Sequence, residues 1–371
     1  MKPHICFVAL NCYNLLSERA DISHIGGAEV QQVLMARWLV DQGYQVSFIT
    51  CDHGQEDAVL LNGIRVYKAY NKDAGLPVLR FFHPRWSKLV SAFDRADADI
   101  YYQRAADVLT GQAALWCRYR GRKFLYGVAN VGECMWALPW VKSRRERSMY
   151  RLGLRLADHV VTQTEYQGQI LKAQYGLEST VVRSCGENPI EDSQPIDFIQ
   201  VLWVGRISEE KRFEWLVELA RVCPEVTFNV VGDQNQSSDY GRKLKEDASL
   251  LPNIVLHGRV PHEKMEAIYS ENRVLCSTSP AEGFPNVFLE AWRVGVPVLT
   301  TYDPDDVVRK NGCGWVAANV EEMADVLRSL DDDQIGSASR NSSRYYSENH
   351  TADSALPAFD RVLMQLHGTG A

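Results

Sequence analysis

Residues 273–298, RVLCSTSPAEGFPNVFLEAWRVGVPV, read as strand, loop, helix and strand in that order. Val274, Leu275 and Cys276 form a short apolar run expected as a strand over 273–277. Pro285 has the fixed φ suited to a first helical position, the helix runs to about Val294 and closes near Gly295, and the next strand lies near 296–300. The same unit repeats outward in both directions. Strands are expected near 4–10, 45–50, 64–69, 99–103, 123–128, 158–163 and 179–184, and again near 199–204, 226–232, 253–258 and 313–317. Helices fill the gaps: from Ala28 to Gln42, the residues Val30, Val33, Leu34 and Leu39 fall at helical spacing ahead of Gly43.

This alternation is the mark of α/β architecture with parallel sheets. Two Rossmann-like domains are expected, residues 1–185 and 186–351, joined by the aperiodic linker GENPIEDSQPID. A last helix from about Ala352 to Leu366, after the polar stretch SASRNSSRYYSEN, would cross back so that 352–371 joins the first domain. Two such sheets facing a cleft would surround it with strand carboxyl ends, where open α/β sheets bind ligands.

Composition agrees with an ordinary globular protein: of 371 residues, 46% are hydrophobic and 23% charged, which excludes a disordered or fibrous chain. No stretch approaches the roughly 18 apolar residues of a membrane span. The opening MKPHICFVALNCYN lacks a signal-peptide cleavage site and reads as the first buried strand of a cytoplasmic protein. Nine scattered cysteines with no CxxC pair point to neither zinc nor a disulfide framework. The net charge of −7 divides unevenly. Residues 1–185 hold 23 Lys+Arg and 17 Asp+Glu, a balance of +6, and residues 186–371 hold 17 and 30, a balance of −13. Within the basic half, Lys142, Arg144, Arg145, Arg147, Arg151 and Arg155 interleave with apolar residues. A helix over 142–156 resting on anionic lipid and a merely solvated helix face are equal readings of that run. Nucleic-acid binding is excluded by the negative total and the lack of a recognisable basic module.

The chemistry is expected in loops after strands. After 273–277, the amides of Asn286, Val287 and Phe288 would open a helix as an anion site. Glu282 in the loop and Glu290 in the helix would lie near it, since helical side chains lean toward the N-terminus. One carboxylate suits a vicinal diol such as ribose and the other a sugar hydroxyl. In WVGRISEEK, Arg206 follows a strand and Lys211 would stand in the first turn of the next helix, two cations able to neutralise a diphosphate leaving group. In HIGGAEV, Gly26 and Gly27 would let a helix start approach a phosphate. Asp97 and Asp99 read as a helix-end turn, Asp331, Asp332 and Asp333 as a solvated loop, and His257 as a core or rim residue. No residues imply a metal or a bound cofactor.

With EGFPN and Glu290, the Arg206–Lys211 pair and GGAE in place, the chain resembles the retaining glycosyltransferases of family 4, which have the GT-B fold. The resemblance implies that Glu282 touches donor-sugar hydroxyls, Glu290 holds the ribose, and Arg206 and Lys211 bind the donor pyrophosphate. It also places Gly205, Gly283, Phe284 and the backbone of Pro285 to Phe288 on the donor, and Arg259 and Val260 beside the nucleobase. Members often carry a histidine after the strand matching KFLYGVA. Asn130, Val131, Gly132 and Glu133 stand there instead, so Asn130 and Glu133 become the acceptor-side candidates. In a retaining front-face displacement the departing phosphate can itself take the acceptor proton. The stretch YDPDDVVRKNGCGW replaces a Gly-Gly turn, a form associated with polysaccharide-assembly relatives.

The expectation is thus a metal-independent retaining hexosyltransferase. It would move sugar from a UDP- or GDP-linked donor to a glycan or lipid-linked acceptor in polysaccharide or glycolipid assembly, in the cytoplasm or peripheral to the inner membrane face. A catalytically silent sugar-nucleotide-binding subunit and a sugar-nucleotide epimerase are the alternatives.

Overall fold

The computed structural model describes residues 2–18, 26–75, 81–190, 200–234 and 239–368. The chain divides into two compact units, residues 1–185 with 355–371 and residues 186–354. Of the linker expected at 186–197, residues 191–197 lie outside the described residues, as do His24 and Ile25 of HIGGAEV.

The first unit is built on strands β1 His4–Val8, β2 Gln45–Thr50, β3 Val59–Leu61, β4 Ile64–Lys68, β5 Ile100–Arg104, β6 Lys123–Gly127, β7 His159–Thr162 and β8 Thr180–Val181. They order as β3-β4-β2-β1-β5-β6-β7-β8, all parallel except β3 against β4. The central strand β1 buries Ile5, Cys6, Phe7 and Val8 in succession, as a strand covered on both faces does. Strand β3 was not expected; three residues on an edge carry too little pattern to read. The helix Gly27–Asp41 is clamped at buried Gln31, whose Nε2 donates to Cys185 O at 2.7 Å while Cys185 N donates back to its Oε1 at 2.9 Å.

The basic run forms a helix, Arg144–Leu156, capped by Ser143, whose Oγ accepts from Glu146 N. It lies close on helix Val108–Arg120 through two glycines: a Cβ on Gly111 would stand 2.5 Å from Met149 O, and one on Gly153 2.7 Å from Thr110 O. Tyr150 and Leu154 are buried in that contact side of the fold, while Lys142, Arg144, Arg145 and Arg155 are exposed. Asp97 ends helix Ser87–Ala96 at φ 42 and pairs with Arg122, and Asp99 accepts from His4 N, the helix-end turn expected there.

The last helix, Pro357–Gly368, belongs to this first unit. Phe359 meets Tyr102 edge-on at 5.4 Å, and Tyr44 OH donates to Asp360 Oδ1 at 2.6 Å. Ala352–Ala355 is a separate short turn before it.

The second unit has β9 Gln200–Val204, β10 Thr227–Val231, β11 Ile254–Gly258, β12 Val274–Ser277, β13 Val298–Thr300 and β14 Gly314–Val316, all parallel, in the order β11-β10-β9-β12-β13-β14. Side chains alternate between faces: Val201 and Trp203 join a cluster with Phe213 and Val217, and Leu202 joins another with Leu275, Phe288 and Trp292.

One stretch with no element expected is a helix, and one expectation is corrected here. The stretch SASRNSSRYYSEN lies within one helix, Asp332–Asn349, because Ile335, Ala338, Ser342 and Tyr346 recur on one face and are buried. Tertiary burial overrides the weak helix preference of its serines. Asp331, Asp332 and Asp333 are no loop: Asp331 is that helix's N-cap in a reciprocal box with Gln334, the next two are its first turn, where negative charge is favoured, and Asp332 pairs with Arg273 at 2.7 Å.

All nine cysteines are buried and unbridged. Among the described residues no helix is long and apolar enough to cross a membrane.

Gly232 shows where backbone approach dictates sequence. Its φ is +130, and an added Cβ would fall 1.9 Å from Gly205 O. Gly43 also has positive φ, +80, but nothing lies within 4 Å. Gly232→Ala is therefore expected to cost about 3 kcal/mol and Gly43→Ala about 1 kcal/mol. Thermal unfolding of the two variants compares them; equal shifts would show that the contact with Gly205 carries no strain.

Candidate functional site

The chain lays down β9, β10 and β11 to one side, then returns to the other side of β9 for β12. Such a reversal parts the loops that follow the two central strands and opens a crevice at their carboxyl ends. Those loops are 205–212 after β9 and 278–285 after β12, the two segments that carry the strongest motifs.

After β9, Gly205 N donates to Val231 O at 3.0 Å, and Arg206 is exposed. Lys211 does not stand in the first turn of the next helix. It ends a separate 3-10 turn, Glu209–Lys211, and Arg212 in the left-handed region (φ 46) intervenes before helix Phe213–Val222. A cation in a helix's first turn opposes the helix dipole, and the intervening turn spares Lys211 that cost.

After β12, Gly283, Phe284 and Pro285 are buried, and helix Asn286–Arg293 follows. Pro285 precedes this helix as its N-cap, with ψ 117, rather than occupying its first position. Phe288 N donates to Pro285 O at 3.0 Å, so of the three amides expected to face an anion this one is bonded within the chain. The loop is fastened from the segment after β13: Thr301 Oγ1 donates to Ser279 O at 2.8 Å and Tyr302 OH to Gly283 O at 3.4 Å.

The two loops meet through charge. Lys211 Nζ contacts Glu282 Oε1, with side chains 31% and 19% exposed, so the pair is sheltered yet reachable. Glu290 is set differently: its Oε2 accepts from Tyr269 OH at 2.6 Å. Burial, and then the Glu290 charge, raise the Tyr269 hydroxyl well above the ordinary tyrosine range, so it stays a proton donor. Val204, Val260 and Val287 pack on the cluster that holds Phe284 and Phe288, which brings the loop after β11 to the same side. Arg259 in that loop is exposed. His257 bonds Asn229 Oδ1 at 2.9 Å on the edge strand, a rim residue.

Gly26 and Gly27 lie in the first unit, where Gly26 is the N-cap of helix Gly27–Asp41 at an extended φ of −93. They follow β1, which is itself the reversal point of that sheet, between β2 and β5. Asn130 caps the short helix Val131–Cys134, its Oδ1 accepting from Gly132 N at 2.8 Å. Glu133 is 8% exposed; its carboxylate accepts from Tyr126 OH at 2.7 Å and Ala129 N at 3.0 Å. Burial raises its pKa, opposed by those donors.

Trp203, Tyr269, Thr278, Thr301 and Tyr302 were not read as site residues. Each acts through hydrogen bonds to residues distant in sequence, and nothing in the local pattern announces such bonds. Among the described residues no group of three or more His, Cys, Asp and Glu is placed to hold a metal ion.

Comparison with known proteins bears on the family and the fold. Residues 25–186 match the family described as Glycosyltransferase Family 4, and residues 199–333 match Glycosyl transferases group 1. A 41.2 kDa protein in cps region of Klebsiella pneumoniae is 28% identical over 46% of this chain and 45% of that protein, less than half its length. The phosphatidylinositol N-acetylglucosaminyltransferase gpi3 subunit of Schizosaccharomyces pombe is 22% identical over 84% of this chain and 71% of that protein. The fold superposes on HepE from Anabaena, solved in complex with UDP and glucose, with a TM-score of 0.77 at 17% identity over 98% of this chain and 100% of that one. The chain belongs to the family 4 glycosyltransferases, the glycosyl transferases group 1, and has their two-domain GT-B fold.

Proposed function

We propose that the protein transfers a hexosyl group from a nucleoside-diphosphate sugar to a hydroxyl acceptor, with retention and without a metal. The observation that carries this is the Lys211–Glu282 contact at the reversal between β9 and β12. An ammonium and a carboxylate side by side match a donor whose diphosphate and sugar hydroxyls are adjacent. On binding, the diphosphate takes Lys211, with Arg206 beside it on the same loop, and Glu282 is released to the sugar. As the glycosidic bond breaks, charge develops on the departing phosphate, and fixed cations stabilise it. Glu290, oriented by Tyr269, holds the ribose diol. The loop bearing Arg259 and Val260 flanks the base. The leaving phosphate accepts the acceptor proton.

UDP is the favoured nucleotide, because HepE was solved with UDP and glucose. A lipid-linked or polysaccharide acceptor is favoured by the two relatives, one named for phosphatidylinositol and one for a cps region. The first unit would present that acceptor. Its exposed Lys142, Arg144, Arg145 and Arg155, with Trp136 and Trp140 exposed on the preceding loop, suit an anionic membrane surface. Tyr150 and Leu154 are already buried, so the attraction would be electrostatic rather than insertion of the helix.

The primary test is thermal unfolding with UDP, GDP, ADP and their hexose conjugates; a ligand at about 100 times its Kd adds about 2.7 kcal/mol. One nucleotide family is expected to raise the midpoint, and no response from folded protein would remove the donor site. Glu282→Gln should cut kcat by about 100-fold while nucleotide binding persists, since its contact is to the sugar. Unchanged sugar transfer in that variant would remove Glu282 from the donor site, whereas nucleotide binding with no transfer by the parent would favour the silent-subunit reading. Tyr269→Phe should weaken UDP about fivefold by releasing Glu290, measured by calorimetric titration. At about 1 kcal/mol per basic residue, Arg144→Glu/Arg145→Glu/Arg155→Glu should lower binding to phosphatidylglycerol vesicles at least thirtyfold, and salt should weaken the parent's binding. Binding to neutral phosphatidylcholine of equal strength would end the electrostatic account.

A further inference from the structure

A buried relay ties the two loops of the donor site together from behind. The indole Nε1–H of Trp203, on β9, donates to Thr278 Oγ1 at 3.1 Å. That hydroxyl in turn donates to the main-chain oxygen of Lys211 at 2.5 Å. Trp203 is 2% exposed and Thr278 1%, so water does not compete for these groups. A threonine hydroxyl has a single proton. With Oγ1 receiving the indole N–H, the direction of the second bond is set, and the proton points at Lys211.

The relay ends at the cation the chemistry needs. Lys211 terminates a single 3-10 turn whose own main-chain bonds are few: Lys211 N donates to Ser208 O and Arg212 N to Glu209 O, each at 3.1 Å. A lysine side chain is long, flexible and strongly hydrated, so the position of its ammonium follows the position of its main chain. Thr278 stands four residues before Glu282, the carboxylate that Lys211 meets. Lys211 is thus held at its carbonyl by the stem of the loop whose tip engages its ammonium.

We infer that Thr278, backed by Trp203, is a positioning residue that fixes the Lys211 main chain, so that its ammonium passes from Glu282 to the donor diphosphate without movement of the turn. This deepens the donor-site reading and rests on it. When a diphosphate arrives, only the side chain of Lys211 has to swing, and Glu282 stays where the sugar will be. Positioning of this kind acts on the phosphate-binding part of the ligand and leaves base and ribose contacts alone.

The test measures selectivity for a diphosphate over a monophosphate on the full chain. UDP and UMP, with GDP and GMP in parallel, are titrated calorimetrically against the parent, Thr278→Val, Thr278→Ser, Trp203→Phe and Lys211→Ala. The parent is expected to prefer the diphosphate at least tenfold. Thr278→Val should lower that preference about tenfold and leave monophosphate affinity within about threefold, because one buried hydrogen bond and the cation it places are lost. Thr278→Ser keeps the hydroxyl and should restore most of the preference. Trp203→Phe should give an intermediate loss of about threefold. If Lys211→Ala abolishes the preference and Thr278→Val does not, the positioning role is overturned while the donor site stands. It is equally overturned if Thr278→Val and Thr278→Ser weaken both nucleotides alike, as a general loosening would. If Lys211→Ala leaves the preference intact, or no nucleotide binds, the donor-site reading itself fails and the inference with it. Should Thr278→Val not fold, Trp203→Phe decides by the same comparison.

Discussion

Strand β9 is hydrogen-bonded on both sides, to β10 and to β12, and the second unit is organised by that constraint. A central strand cannot shed its carboxyl-end groups sideways, so the chain must turn up and away from it. The helix after β9 lies with Phe213 and Leu216 in one core, and the helix after β12 lies with Phe288 and Trp292 in the other. Leaving to opposite faces, the two connections part and leave their loops edging one crevice. The close approach of Gly232 to Gly205 holds the β9 and β10 ends together at the same place. Site position is therefore a consequence of strand order, and the side chains on the two loops decide what the site can bind.

Under the proposed function an anionic donor would be bound by the acidic half of the chain, which looks paradoxical. Residues 186–371 carry a balance of −13. Charges beyond a Debye length of about 8–10 Å are largely screened, whereas contacts within a few ångströms are not. The cation on the crevice loop outweighs the distant acids because it is near and sheltered. Its contact with Glu282 also keeps that carboxylate from standing uncompensated in a partly buried place, where an unpaired charge is costly. Under the proposed function each group of that contact would pass to a partner on the donor.

Much of this was legible in the letters. Buried parallel strands appear as apolar runs, so β1, β2, β9 and β12 fall within a few residues of where Ile5, Phe48, Leu202 and Leu275 announce them. The Lys211–Glu282 pair was legible as two motifs, though not as a contact, because each motif sits at a strand end and strand ends of one sheet share an edge. The failures have a common cause. Helix Asp332–Asn349 is polar in composition and exists because Ile335 and Tyr346 are buried by partners far along the chain. Thr278, Trp203 and Tyr269 matter through hydrogen bonds spanning 75, 67 and 21 residues. Pattern along a sequence reports local period and local chemistry; it does not report which distant group a hydroxyl will meet.

The loop after β6 shows how such a distant meeting changes a chemical assignment. A glutamate in the loop where family members often carry a histidine invites the idea of a substitute base. Glu133 instead spends its carboxylate on Tyr126 and the amide of Ala129, and its main-chain oxygen accepts from Tyr150 OH at 2.9 Å. A base must reach the proton it removes, within about 2.6–3.2 Å or through one water. A carboxylate held by β6 and by the loop that follows it serves to shape that loop, so Glu133 fixes backbone and not proton traffic. Under the proposed retaining transfer this is no defect. The acceptor proton passes to the departing phosphate, the catalytic burden falls on the groups that stabilise that phosphate, and the first unit is left to hold the acceptor in place.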